Sequence, residues 1–359
     1  MHDMAERKPK SQQITGTNLE QRTVTLSVSQ PSQLTFFQTF FPENDKYSNS
    51  IELYDAIPKI FASPKSIDAM RINERFLDTV ERKFRYKPCG HQTNQNYSLE
   101  LRPARVAGND GAEREYFLTK REELVEAALR KLACNPKNGV FLNDSAGVQF
   151  TLYELRKELA RHNHSIHYYS LIEALKISHR IGMSLKTMDG KSVMEAPVYP
   201  VLVISSRENW LSNPKSAKCY VQFNPLLTHG INQLTYRQID YDKSMSFKSL
   251  LARWLFSKLS HNYTQASHKS PYRIKASSIV RDCHLINNSR FRDKLDAINS
   301  ANAELIGTRV IASIKKENKL EKNKIVDVIY TFHPTVEFID EAVKANKRTQ
   351  KLRLNSLIE

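Results

Sequence analysis

The sequence is short of several things, and each shortage removes a class of protein. Its four cysteines, Cys89, Cys134, Cys219 and Cys283, are too far apart for a CxxC pair and too few for a disulfide framework, so they read as reduced thiols. Cys89-Gly90-His91 offers two ligand types, but nothing completes a metal set. Ten glycines in 359 residues include no GxxxxGK[ST] loop and leave little room for any phosphate cradle, so neither ATP use nor a cofactor or metal is expected. No apolar run approaches the roughly 20 residues that cross a bilayer, and Met1 to Arg22 lacks the apolar centre of a signal peptide. A cytoplasmic protein with no membrane partner is expected.

Acidic residues are scarce as well. Against 54 Lys and Arg stand 38 Asp and Glu, a formal net charge of +16, which points to a polyanionic partner. From Lys243 onward there are 22 basic and 11 acidic residues, so the last third carries most of the excess. A solubilising surface spreads its charge, whereas a binding face concentrates it.

What is present is a 40 % hydrophobic, globular composition arranged in a repeated order. Residues 1–47 are polar and read as a flexible N-terminal arm with one apolar island, Leu34 to Phe41. Residues 48–61 read as a short helix interrupted by Pro58, and Asn96 to Val106 as an extended segment facing Glu115 to Leu118 across Gly-Asn-Asp-Gly. Leu124, Val125, Ala128, Leu129 and Leu132 recur at helical spacing behind a Thr119–Glu122 capping box. A strand at Val148 to Phe150 leads into a helix over Leu152 to Arg161, a turn at His162 to His167, and a second helix ending at Ile181-Gly182. Strands at Met183 to Met188 and Lys191 to Glu195 then meet at Asp189-Gly190, with another at Val201 to Ser205. Helix, strand, helix, turn, helix and β-ribbon make a winged helix-turn-helix.

The order returns after Phe247, where Phe247, Leu250, Leu251, Trp254, Leu255 and Leu259 form the best amphipathic helix of the chain. A strand at Tyr272 to Ile274, a helix at Ser277 to Cys283, a turn at Asn287 to Ser289, and a helix carrying Phe291, Leu295, Ile298 and Leu305 follow. Strands at Arg309 to Ile314 and Ile325 to His333 flank the lysine-rich Lys315 to Lys324. The expected class is therefore α+β, two tandem winged helix-turn-helix domains: 48–242 with an N-terminal extension, for dimerisation or DNA, and 243–335 for DNA binding, with a basic tail at 336–359.

A helix-turn-helix puts the first turn of its second helix on base edges in the major groove. Rotation by about 100° per residue from the apolar stripe turns Ser289, Asp293, Asp296 and Ser300 outward, with Arg290 and Arg292 on the flanks. Arg290 or Arg292 suits a guanine and Asp293 a cytosine amino group, and Lys294 completes this candidate set. Lys315, Lys316, Lys319, Lys322 and Lys324 crowd a wing that reaches phosphates or a minor groove. In the first unit His167, Tyr168 and Lys176 are the candidates; that unit either reads DNA with fewer phosphate contacts or dimerises through its ribbon. His162-Asn163-His164 before Tyr168 and Tyr169 is similar to a rolling-circle nickase site, but Asn163 falls in a turn and no carboxylate ligand follows. In the arm, Gln33, Leu34, Phe36 and Phe37 either dock into another protein or fold back onto the domain.

The segments FTLYELRKELARHNHSIHYYSLIEALKISHRIGMSL, YVQFNPLLTHGINQLTYRQIDYDKSMSFKSLLARWLFSKLSHNY and RIKASSIVRDCHLINNSRFRDKLDAINSANAEL resemble plasmid replication initiators of the RepA/TrfA type over roughly Ser48 to His333. Gln33 to Phe37 is similar to the QL[SD]LF peptide that binds the bacterial sliding clamp, with Thr35 for Ser or Asp and Phe36 for Leu. The resemblance implies a non-enzymatic protein that binds repeated sites in double-stranded plasmid origin DNA and opens the neighbouring AT-rich duplex. It further implies recruitment of the host initiator, helicase and sliding clamp, a homodimer off DNA, and residence with the plasmid in the bacterial cytoplasm. A winged-helix transcriptional repressor is the alternative, and a metal-dependent nickase the remoter one.

Overall fold

The computed structural model describes residues 46–87, 93–108, 111–190, 193–213, 215–233 and 235–355. In chain order the mixed α/β chain first gives β1 (Tyr47–Ile51), α1 (Glu52–Ala56), α2 (Pro64–Asp68), β2 (Val80–Tyr86), β3 (Gln95–Arg102), β4 (Ala104–Ala107), β5 (Glu113–Tyr116) and α3 (Lys120–Ala133). Next come β6 (Gly139–Leu142), β7 (Ser145–Thr151), α4 (Leu152–Arg161), α5 (Tyr168–Arg180), β8 (Gly182–Thr187), β9 (Val193–Glu195), β10 (Leu202–Val203), α6 (Arg207–Ser212), β11 (Lys218–Gln222), α7 (Pro225–Asn232), β12 (Tyr236–Asp240) and α8 (Tyr241–Ser246). The last third holds α9 (Leu250–Asn262), β13 (Tyr272–Lys275), α10 (Ala276–Cys283), α11 (Phe291–Gly307), β14 (Ile311–Glu321), β15 (Lys324–Pro334) and α12 (Val336–Asn355).

Local chemistry sets the helix starts. The Thr119 backbone N–H donates to Glu122 Oε2 at 2.8 Å, and at α4 Thr151 and Glu154 repeat the exchange at 2.7 and 3.1 Å, so two helices open on the same Thr-x-x-Glu device. Leu152, Leu155 and Leu159 of α4 and Leu171, Ala174 and Leu175 of α5 are buried, and Asn163 turns the chain between them with φ of 61°. At α9 the helix begins at Leu250 behind Ser249, whose hydroxyl accepts from the N–H groups of Leu251 and Ala252; Phe247 is buried but lies before the helix.

Long-range pairing departs from the sequence expectation in three places. Residues 48–61 open not as helix but as β1, antiparallel to β12 with Tyr47 opposite Asp240, which buries Ser48, Asn49 and Ser50. The extended stretch from Asn96 splits at Pro103: β3 joins β2 and β8, while β4 alone pairs with β5. The hairpin β8–β9 forms as expected, but β8 pairs with β3 in the order β2-β3-β8-β9, and β7 belongs to a separate sheet, β10-β11-β7-β6. In the last third the corresponding strand, β13, does close onto its hairpin, in the order β13-β15-β14. The two units share an element order but not a strand pairing. Gly147 shows why β7 is committed to β11: a Cβ there would lie 2.7 Å from the Tyr220 hydroxyl on the facing strand.

Two apolar cores result, one running from Ile51 to Met245 and the other from Phe247 to Ala342. Polar groups cross between them. The Arg130 guanidinium of α3 donates to both Asp55 oxygens at 2.6 and 3.0 Å, the Ser50 hydroxyl donates to the same carboxylate at 2.5 Å, and Ser50 Oγ lies 2.6 Å from His261 Nε2 of α9. Asp282 of α10 accepts from the Arg85 N–H of edge strand β2 at 3.2 Å, and His284 bonds the Lys83 carbonyl at 2.9 Å, which covers that edge. The segment expected to be a basic tail is largely helix α12; Arg237 of β12 donates to its Ala342 carbonyl and Asn346 side chain at 3.1 and 2.7 Å.

Burial, with the Arg237 and Arg130 cations nearby, pushes His261 down to about 4, although Asp55 opposes this. The unfolded chain therefore binds the proton more tightly, and the stability that neutral His261 contributes is present above its unfolded value near 6.5 and lost as pH falls toward 4. Acidification from pH 7 to 4.5 should cost on the order of 2–3 kcal/mol through this group. Denaturant unfolding at both pH values checks this: His261→Gln should lose that part of the acid dependence, and equal pH slopes for the two proteins would contradict it.

Candidate nucleic-acid interface

In the second unit α10 and α11 are joined by a turn in which His284 adopts a left-handed conformation (φ 52°) and Asn287 to Arg290 are exposed. Ser289 and Arg290 lie before the helix, with Arg290 as an extended N-cap residue, so Ser289 is not on the outward helical stripe to which the sequence rotation assigned it. No side chain caps its first N–H groups. Ile298, Ala301, Asn302 and Leu305 are buried; Arg292, Asp296, Ser300 and Ala303 form the exposed stripe. Asp293 and Lys294 are half-buried on its flanks rather than outward. Arg290, Arg292 and Lys294 carry no ion pair among the described residues, so the uncapped, positively polarised end of α11 is ringed by unneutralised cations.

The wing differs from the expected ten-residue loop. Strand continues through Lys315, Lys316 and Lys319, Lys324 opens β15, and the only turn residues are Lys322 and Asn323, both left-handed (φ 46° and 62°). This is the geometry of a two-residue hairpin turn that Asn-Gly usually marks. From Lys315 to Val326 all residues but Glu317 are exposed, so this outer part has no apolar alternation by which the sequence could reveal it as strand. Pairing divides the lysines between its faces. Lys316 stands opposite Tyr330, whose hydroxyl bonds Asn299 of α11 at 3.3 Å, so Lys316 is on the helix side. Lys315 and Lys319 stand opposite Thr331 and Asp327 on the other side, where Glu317 engages both Arg273 (3.0 Å) and Lys315 (3.7 Å).

Asp327 ties the ribbon to α10. It accepts from the Ser277 N–H (3.1 Å) and hydroxyl (2.6 Å) at the start of α10. Burial works to raise its pKa, but these Ser277 bonds and the Val328 N–H outweigh it and hold the carboxyl below its ordinary value.

In the first unit His167 is the exposed N-cap of α5, and Lys176 is exposed. Tyr168 is half-buried with the Arg156 guanidinium 5.0 Å from its ring, and Tyr169 takes the outward position instead. The same stripe carries Glu173, held by Arg121 at 2.6 Å, and Arg180. Sequence rotation missed Tyr169 and Arg180, although the i, i+4, i+7, i+11 spacing of Tyr169, Glu173, Lys176 and Arg180 was there to find them. His162 and His164 do not project from a strand. His164 bonds the Met245 carbonyl at 2.9 Å, His162 packs edge-on against Tyr241, and burial lowers its pKa. Among the described residues no group of three His, Cys, Asp or Glu side chains could hold a metal. Burial pushes the Cys134 and Cys283 thiols up to about 12 and about 11, as fits inert structural cysteines. Cys89, His91, Gln33, Leu34, Phe36 and Phe37 lie outside the described residues. No described helix is long and apolar enough to cross a membrane.

No family model and no curated protein matches the chain. Among solved structures, domains 2 and 3 of RctB align over 77 % of this chain and 99 % of theirs at 12 % identity and a TM-score of 0.46. A second structure, RctB 155–483, aligns over 81 % and 99 % at 10 % identity and 0.45. The Pi initiator protein, solved in complex with iteron DNA, aligns over 60 % and 91 % at 12 % identity and 0.41. Likenesses of this degree leave the function to be read from the chain's own geometry.

Asp327→Ala removes the acceptor of the Ser277 bonds and should lower stability by about 1–2 kcal/mol at pH 7. The difference from wild type should shrink as pH falls through the depressed carboxyl value, because that is where the wild-type bonds disappear. Denaturant midpoints measured at pH 7 and pH 3 test it; a constant difference would contradict the assignment.

Proposed function

We propose that this chain is a non-enzymatic, sequence-specific binder of double-stranded DNA that acts as a plasmid replication initiator through two tandem winged helix-turn-helix units. One observation carries the reading: Arg290 and Arg292 at the exposed start of α11 carry no ion pair among the described residues, and Lys316 is exposed on the ribbon face whose Tyr330 bonds the same helix at Asn299. A helix start that donates to phosphates and bases, beside a cationic ribbon, is what a major groove and its flanking backbone require. The charge excess beyond Lys243 favours the same unit.

In this proposal the first unit carries Tyr169, Lys176 and Arg180 to a second groove or to a partner copy. The arm to residue 47 brings Gln33, Leu34, Phe36 and Phe37 to the sliding clamp, and the host initiator and helicase follow to the opened origin in the bacterial cytoplasm. A transcriptional repressor needs the same interface without the replication step. Against the nickase reading, His162 and His164 lie between α4 and α5 and engage Tyr241 and Met245 of α8. A plasmid carrying only this gene and its flanking DNA separates initiator from repressor: autonomous replication is expected, and binding without replication would leave the repressor.

Replacing Arg290 and Arg292 by Ala should cost about 1–3 kcal/mol for each base that a guanidinium no longer bonds, read by electrophoretic mobility on duplexes tiled across the gene's flanking DNA. Unchanged site selection would remove α11 as the reading helix.

The two faces of the wing predict different salt behaviour. Lys316→Ala should lower affinity on every sequence and reduce the slope of log K against log salt by about 0.9 for the single phosphate it leaves unneutralised. Lys315→Ala, already engaged by Glu317 on the far face, should leave the slope near wild type; equal reductions in both variants would contradict the assignment.

A further inference from the structure

The wing outruns its own sheet. β13 pairs with β15 only between Ile329 and Phe332, so Asn318 to Val328 form a two-stranded arm with no third strand. At 3.3 Å per residue its reach from Glu317 to the turn is about 17 Å. A free ribbon tip is expected to be polar on both faces, because nothing covers it. Here the tip is apolar: Leu320 is 58 % exposed, Ile325 45 % and Val326 40 %.

The register places these side chains. Leu320 and Ile325 stand directly opposite each other, and Val326 is the extra residue of the bulge that separates this pair from Lys319 and Asp327. Alternation from Lys316 through Asn318 puts Leu320 on the helix side of the ribbon, the side on which Tyr330 reaches Asn299 of α11. The apolar pair therefore shares a face with Lys316 and the helix start. Lys322 lies in the turn beside it, while Lys319 and Lys324, with Glu321, stand on the reverse face of the ribbon; all three lysines are exposed and without ion pairs among the described residues. An apolar face with ammonium groups at its turn and on the reverse of a ribbon only two strands wide complements a minor groove, where base edges lie between two rows of phosphates. A protein surface would have to supply acids around an apolar socket, and no feature of the tip selects for that.

We propose that Leu320 and Ile325 form a wedge that enters the minor groove beside the site held by α11 and partly unstacks a base step, with Lys319, Lys322 and Lys324 on the bounding phosphates. This rests on the DNA-binding reading above and adds a deformation to it. Unstacking costs least at flexible pyrimidine–purine steps, so the wedge favours TA-containing sequence without a hydrogen bond to any base.

The test is a topological assay with the full chain. A closed circular plasmid bearing the gene's flanking DNA is relaxed by topoisomerase I at low salt with saturating protein, and binding is followed in parallel by gel retardation. Wild type should retard the plasmid and leave it with a lowered linking number. Leu320→Ser/Ile325→Ser, compared with wild type at equal retardation of the plasmid, should lose the linking-number change per bound protein. Lys322→Ala/Lys324→Ala should bind more weakly with a flatter salt dependence, yet keep the change per bound protein. If the Leu320/Ile325 variant keeps the full change, as it would were the tip a protein-docking site, or if wild type binds without any change, the wedge is wrong and DNA binding stands. Failure of wild type to retard the plasmid would overturn both.

Discussion

The carboxylate of Asp55 is the point at which the molecule is joined. It accepts from Arg130 on α3, from the Ser50 hydroxyl and from the Ile51 N–H, and Ser50 in turn meets His261 on α9. A buried ion pair is not strongly stabilising in itself, because desolvation offsets most of the attraction, but breaking one side costs about 3–5 kcal/mol. The pair thus acts as a geometric constraint: α3, β1 and α9 hold their relation or a charge is stranded. Arg130 is held protonated and Asp55 well below the usual carboxylate range by each other, against their burial, while His261 stays neutral next to two arginines.

That junction also explains where the free charge is found. The first unit consumes many of its cations internally: Arg71 on Asp68, Arg105 on Glu115, Arg121 on Glu122 and Glu173, and Arg161 on Glu158. Arg253 enters from the second unit to approach Glu123 at 3.5 Å. Among the described residues Arg290, Arg292 and Lys294 at the start of α11 and Lys316, Lys319, Lys322 and Lys324 along the ribbon carry no ion pair. A net charge alone requires only an acidic partner; the excess from Lys243 onward makes the second unit the more cationic of the two.

Helices were legible in the sequence because their determinants are local. Thr119–Glu122 before α3, the leucine spacing of α4 and α5, and the stop at Ile181-Gly182 each lie within a few residues of what they specify. The β8–β9 hairpin was legible for the same reason, with Gly190 taking the left-handed φ of 70° its turn needs. Strand partners were not. Nothing in Tyr47 to Ile51 announces a strand whose partner lies nearly two hundred residues later, and nothing in the first repeat reveals that β7 seeks β11 rather than the hairpin. The site shows the same division. The identity of the α11 cations followed from periodicity, but the start of the helix and the two faces of the wing depend on pairing with β13 and β15.

The wing shows how a ribbon with weak local signals can still be aimed. Its turn places Lys322, a residue with a Cβ, at φ of 46°, a conformation that costs roughly 1 kcal/mol, and its outer pairs have no third strand. Local propensity therefore does little to stiffen the tip. The base is different. Asp327 bonds both the backbone and the hydroxyl of Ser277, Arg273 of β13 bonds Glu317 of β14, and Tyr330 meets Asn299. These three ties connect the ribbon to α10, β13 and α11 respectively, so its root is fixed to the elements that form the helix-turn-helix. An arm held at its root and without a third strand beyond it takes its direction from the three ties, and its outermost residues have the fewest neighbours to constrain them. For the proposed wedge this arrangement matters, because Leu320 and Ile325 would then be aimed by the root of the ribbon while keeping the freedom to adjust their depth against a groove.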